Sequence, residues 1–148
     1  MQWHGRTLHT VDTHADSLGA TVRGERRVTE RHEEGQLDLP RMREAGHTLQ
    51  FFSCFVEPAY KPERSLPRLL QYIDAFWQEV GEDASAVVVT GRESLDRLLT
   101  TTGAVGGAIS VEGAEALATD EFRLRTLWRL GVRLVSFTWN QRNALADG

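Results

Sequence analysis

A chain of 148 residues that is 41% hydrophobic and 26% charged has the make-up of a protein that buries one modest core. Its formal net charge of −4 argues against nucleic acid or an anionic membrane surface as a partner. No segment approaches the roughly 20 apolar residues of a membrane span, and Met1-Gln2-Trp3-His4-Gly5-Arg6 has no signal-like apolar stretch, so the expected location is cytoplasmic.

Taken in chain order, residues 8–13 form an apolar, β-branched run that predicts a first strand and leads into Thr13-His14-Ala15-Asp16. Residues two apart in an extended strand project from the same side, so His14 and Asp16 can aim at one point as a pair of metal ligands. The pair alone is a weak signal. It equally fits a histidine capping a strand end beside an aspartate that starts a turn or helix. Arg23, Arg26, Arg27 and Arg31 follow, interrupted by Glu25, Glu30, Glu33 and Glu34, which reads as a solvated loop rather than a binding patch. Asp38-Leu39-Pro40 predicts a helix start, with Asp as N-cap and Pro in the first turn, and Gly46 predicts its stop. Residues 48–56 predict the second strand. The lone cysteine, Cys54, lies within it, can form no internal disulfide and reads as core rather than nucleophile.

After Ser65, the residues Leu66, Leu69, Leu70, Ile73, Trp77 and Val80 recur at helical spacing up to Gly81, a core stripe. Val87-Val88-Val89 predicts a short strand, and Thr90-Gly91-Arg92-Glu93 a capping box for a helix carrying Leu95, Leu98 and Leu99. Gly103, Gly106 and Gly107 approach a third barrel strand over residues 105–111, but no Lys-Ser/Thr pair follows, so a phosphate loop is not expected. Glu112 stands directly after that strand. By itself it fits a helix-start carboxylate on a solvated rim, and Glu115 is assigned that role. A helix over residues 120–130, with Leu124, Leu127 and Trp128 on one face, precedes a fourth strand over residues 132–138. Trp139 follows, either as a rim aromatic or as a substrate contact, and Asn140, Asn143 and Asp147 read as loop formers. Strands alternating with helices predict an α/β fold with a parallel sheet, and polar residues at strand C-termini predict a barrel mouth. The chain has no Gly-x-Ser-x-Gly, Cys-x-x-Cys or His-Glu-x-x-His motif.

Four segments occur in an order that carries more weight than any one of them. They are Val11-Asp12-Thr13-His14-Ala15-Asp16, Gly35 to Gly46 leading into Leu49-Gln50-Phe51-Phe52-Ser53-Cys54-Phe55-Val56, Ile109-Ser110-Val111-Glu112-Gly113-Ala114-Glu115-Ala116-Leu117, and Gly131 to Asn140 closing with Asn143-Ala144-Leu145-Ala146-Asp147. This succession resembles the N-terminal half of the membrane (renal-type) dipeptidase family of zinc peptidases, family M19. The resemblance implies the N-terminal half of a (β/α)8 TIM-type barrel of the metallo-dependent hydrolase kind. It also implies a site for two zinc ions that hydrolyses dipeptides through a metal-bridging hydroxide. Carried over by motif, His14 and Asp16 would bind one metal, Glu112 would bridge both, and Trp139 stands at a substrate-binding position where many members have histidine.

A closed barrel takes about 250 residues, so residues 1–148 are expected to form one incomplete domain. The family's second half, with two further histidine ligands, a substrate-binding arginine and a late aspartate, has no counterpart within them. Completion of the barrel by further sequence or by a second chain, including a homodimer, is therefore expected, and the chain alone is expected to be inactive. Two rival readings are a barrel amidohydrolase acting on another amide or lactam, and a catalytically incomplete interaction module.

Overall fold

The computed structural model of the protein describes residues 2–148. A short antiparallel hairpin of β1 (Gln2–Trp3) and β2 (Arg6–Thr7) precedes the main sheet. The chain then runs through β3 (Val11–Ala15), α1 (Leu18–Val22), α2 (Leu39–Ala45), β4 (Leu49–Phe55), α3 (Ser65–Phe76), β5 (Ala86–Val88) and α4 (Arg92–Thr100). It ends with β6 (Val105–Glu112), α5 (Glu121–Arg129) and β7 (Val132–Ser136). Every pairing in the main sheet is parallel: β3 lies on β4 and β4 on β6. The other side of β6 carries two strands in succession, β5 beside residues 105–107 and β7 beside residues 109–112. The strands β3, β4, β6 and β7 thus follow one another in chain order with helices between them, the arrangement of the N-terminal half of a β/α barrel.

The first strand starts later than its composition suggests, because the ladder is set by two threonines. The Thr10 and Thr48 backbone N–H groups each donate to the other's hydroxyl at 3.1 Å, and Leu49 N–H donates to the Thr10 carbonyl at 3.0 Å. Leu8, expected in the strand, precedes this lock and is exposed. The helix start at Asp38 forms as its residues dictate: Asp38 accepts from Arg41 N–H, Pro40 sits in the first turn, and Gly46 closes the helix at φ 65°.

The core lies between one face of the sheet and the helices. Phe52 and Cys54 of β4 and Ile109 and Val111 of β6 pack under Leu18, Leu69, Phe76 and Leu127. Burial pushes the Cys54 thiol up, so it stays protonated and is core, not nucleophile. The glycines at the start of β6 have a packing role. A Cβ on Gly107 would meet Val80 Cγ1 at 2.6 Å and Phe76 Cε2 at 3.2 Å, so α3 can close on the sheet only where β6 has no side chain.

Three local expectations are corrected. In α3 and the turn after it the buried stripe is Leu69, Tyr72, Ile73, Phe76 and Val80, while Leu70 and Trp77 are exposed. These two lie one heptad apart on the flank of that stripe, and the Trp77 indole N–H donates to the Leu130 carbonyl at 2.9 Å. Helix α4 is capped by Ser94 rather than by Thr90 and Glu93: its hydroxyl accepts from Thr90 N–H at 2.9 Å and Gly91 N–H at 3.1 Å. In α5 only Leu127 is buried, and Leu124 and Trp128 are exposed. Both border β7, which has no strand on its outer side among the described residues, and Trp128 instead stacks on the Arg133 guanidinium, 3.6 Å from the ring centroid. No helix among the described residues is long and apolar enough to cross a membrane.

Candidate metal centre

The site begins with an irregularity in β3. Val11 and Asp12 pair with Leu49 and Gln50, but Ala15 pairs with Phe52, one residue short of a regular register. Asp12 causes this locally, because its carboxylate accepts the His14 backbone N–H at 2.9 Å, a bond over two residues that draws the strand out of the ladder. Since successive side chains alternate in face, a slip of one residue turns His14 to the side occupied by Phe51 and Ser53 rather than to the helix-packed side of Phe52. Asp16 follows at the strand-to-helix junction, where its carbonyl accepts from Gly19 N–H at 3.0 Å.

Glu112 is the last residue of β6, level with Phe55 of β4 and Ser136 of β7. Its side chain is largely buried, 19% exposed against 49% for His14 and 66% for Asp16. His14 Nε2 lies 3.4 Å from Asp16 Oδ2 and 3.4 Å from Glu112 Oε2. One ligand atom from each of the three lies within 4.8 Å of the others. Zinc bonds of about 2.0 to 2.2 Å at tetrahedral angles place neighbouring ligand atoms roughly 3.3 to 3.6 Å apart, so both histidine separations have the length of a zinc tetrahedron's edge. An imidazole and two carboxylates are also the right donor types for a divalent ion in a hydrolase. The Ser53 hydroxyl lies 3.5 Å from Glu112 Oε2, a long contact on the same face.

Trp139 is placed at the same end of the sheet, against Phe55, which is level with Glu112. Its ring meets Phe55 edge-on with centroids 5.0 Å apart, and it is 43% exposed. Asn143 fixes the loop that carries it: the side-chain amide donates to the Phe137 carbonyl at 2.6 Å, and the side-chain oxygen accepts from Leu145 and Ala146 N–H at 2.8 and 3.1 Å. Lys61 also approaches Phe55, its Nζ lying 4.8 Å from the ring centroid. Glu115, expected on a solvated rim, is in fact buried and paired with Lys61 at 2.8 Å, with side chains 5% and 9% exposed. It does start a short helical turn, over Glu115–Leu117, but one sealed by the loop after β4.

Asp12, Ser53 and Lys61 are not marked out by the sequence, whereas Asn143 forms a loop as its residue type predicts. Only Asp12 carries a local signal, an aspartate two residues before a histidine at a strand end. The Lys61–Glu115 pair spans 54 positions and leaves no trace in the pattern. Beside His14 and Asp16 lies a cavity of about 530 Å³ whose lining includes Asp12, His14, Asp16, Arg23, Arg26 and Gly35.

A parallel β/α half-barrel with an imidazole and carboxylates converging beyond its strand ends has the architecture of the barrel metallo-hydrolases. The chain belongs to the membrane dipeptidase family (peptidase family M19), whose sequence model matches residues 5–148. It is similar to the crystal structure of a dipeptidase of that family, a metallopeptidase, at 26% identity and a TM-score of 0.79, covering 93% of this chain and 45% of that one. It shares the fold of a metallopeptidase from Rhodobacter sphaeroides, solved with a phosphinate mimic of the dipeptide L-Ala-D-Ala, at 24% identity and a TM-score of 0.80, covering 93% and 47% of the two chains. A probable dipeptidase, PvdM, from Pseudomonas aeruginosa has the same fold at 20% identity and a TM-score of 0.70, covering 80% and 32%. The chain therefore spans about half the length, or less, of these solved relatives. No curated protein sequence matches it.

Proposed function

We propose that this chain carries the first part of a binuclear zinc site that hydrolyses dipeptides, with His14 and Asp16 holding one metal and Glu112 shared between the two. The single observation that carries the reading is the convergence of His14 Nε2 on Asp16 and Glu112 at 3.4 Å each, from two strand ends separated by nearly a hundred residues of chain. Family membership and the likeness to a solved dipeptidase support the substrate class. Bound there, divalent zinc would lower the pKa of a water towards neutrality and polarise the scissile carbonyl.

The residues of this chain divide the remaining work. Asp12 sets the turn that aims His14. Glu112, largely withdrawn from water, brings a negative charge to the place where two cations would otherwise repel each other. Trp139 offers one N–H donor and a flat apolar surface braced by Phe55, so it contributes packing or a single hydrogen bond to the substrate and no proton transfer. The further ligands come, in this reading, from strands that complete the barrel, in the same polypeptide or in a second chain, and residues 1–148 are one incomplete domain.

Calorimetry tests the assignment. Three protein ligands on two strand ends predict weak zinc binding by this chain alone, and its loss in His14→Ala and in Asp16→Ala. Tight, stoichiometric uptake of two zinc ions that survives both substitutions would overturn the reading.

A further inference from the structure

The cavity beside His14 and Asp16 has two cationic side chains among its named lining residues, Arg23 and Arg26, and they are not equivalent. Arg23 is neutralised by Glu25 through two bonds, Nε at 2.7 Å and a terminal nitrogen at 2.9 Å. Arg26 has no carboxylate within ion-pair distance among the described residues, and its one hydrogen bond, from Nη1 to the Glu34 carbonyl at 2.8 Å, leaves its charge uncompensated. It also acts on the exposed Glu25, but that carboxylate is already engaged by Arg23.

The position of Arg26 is built, not incidental. Its guanidinium lies over Gly35, where a Cβ would fall inside the guanidinium itself, and Gly35 has φ +80°. The Gly35 carbonyl is held by Arg41 Nη1 at 3.0 Å, and Arg41 Nε is held at 2.6 Å by Asp38, which is 1% exposed. A buried aspartate thus fixes an arginine, which fixes the glycine seat, on which the free cation rests. We infer that Arg26 on its Gly35 seat is a carboxylate-binding subsite of this cavity, holding a carboxylate of the peptide whose bond lies at the metal centre. A planar fork of donors suits a carboxylate, and a cavity of about 530 Å³ is the size of a small-molecule site. The inference rests on the proposed dipeptidase reading for the identity of the ligand, and on the geometry of residues 26–41 for the site.

Two carboxylates of a dipeptide could fill the site, the main-chain terminus or an acidic side chain, and one titration separates them. Nitrogen-15 NMR follows the Arg26 Nε–H resonance, assigned by its absence in Arg26→Gln, in the 148-residue chain with and without zinc. The probes are glycylglycine against its C-terminal amide, and Gly-Glu against Gly-Gln. The expected result is a saturable shift with the member of one pair that bears the carboxylate and a response at least about tenfold weaker with its neutral counterpart, consistent with a charge-assisted contact. Gly35→Ala should abolish the shift while keeping the arginine, because the seat is lost. A resonance that moves with none of the four peptides, or equally with both members of each pair, overturns the subsite. Failure of zinc binding with the Arg26 response intact would instead count against the metal reading alone, and zinc binding with a silent Arg26 against the subsite alone.

Discussion

Single residues at the mouth fall into those whose chemistry is local and those whose partners are distant. His14 and Asp16 are candidates from the sequence because residues two apart in a strand share a face, although Asp16 lies just beyond the end of β3, whereas Glu112 becomes a candidate only through the ordered motifs around it. Glu115 shows the limit. Its charge suggests a solvated rim, and only the fold reveals Lys61 closing over it. Substituting Glu115→Gln should leave the Lys61 ammonium buried without its counter-charge and cost about 3 kcal/mol in urea unfolding, whereas Lys61→Met with Glu115→Leu should recover most of that loss. A Glu115→Gln variant within about 0.5 kcal/mol of the parent would show the pair to be effectively solvated. For Trp139, in a protein with the barrel complete, Trp139→Phe should keep most activity and Trp139→Ala should mainly raise KM, since the indole is braced against Phe55 by its ring. Loss of kcat in Trp139→Phe at unchanged KM would assign the role to the N–H donor instead.

Among elements, those with a local stop or start signal were legible to within a few residues. Helix α2 is the clearest case, since an aspartate cap, an early proline and a closing glycine each act within one turn. The start of β3, the cap of α4 and the buried face of α5 were not, because threonine pairing across strands, a serine within the first turn and the open flank of β7 decide them. Asp38 links element stability to pH. Burial alone would raise its carboxyl, but the backbone N–H of Arg41, its guanidinium and the His32 N–H together hold it below the usual range. A carboxyl depressed in the folded state contributes stability that is full above its unfolded value of about 3.9 and is lost as pH falls below it. Asp38→Asn should therefore be less stable than the parent by about 1 to 2 kcal/mol at pH 7, and the gap should narrow below about pH 4. Thermal unfolding across pH 2.5 to 7 is the check, and a gap constant throughout would place the stabilisation elsewhere.

For the molecule as a whole, the parallel succession and the side of the sheet that carries the site follow from alternating strands and helices. How the inner face is covered does not. Phe51 and Phe55 are packed, Phe51 against the cluster of Leu49, Val87 and Leu98, and Phe55 in contact with Trp139 and Lys61. Phe137 is 65% exposed, and Leu134 of β7 and Leu124 and Trp128 of α5 are exposed too. With β3 and β7 each unpaired on one side among the described residues, this edge combines free backbone groups with apolar side chains, the two features that drive association. The 148-residue chain should accordingly show a scattering mass that rises with concentration, and a monodisperse monomer at all concentrations would mean that these edges are better protected than their exposure implies.

The claim on which the functional account depends is that one divalent ion is held jointly by His14, Asp16 and Glu112. Anomalous diffraction at the zinc absorption edge, from crystals grown with zinc, locates such an ion directly. The account predicts a peak bonded at about 2.0 to 2.2 Å to His14 Nε2 and to one oxygen each of Asp16 and Glu112. Zinc bound only elsewhere, with His14 and Glu112 unoccupied, would contradict it.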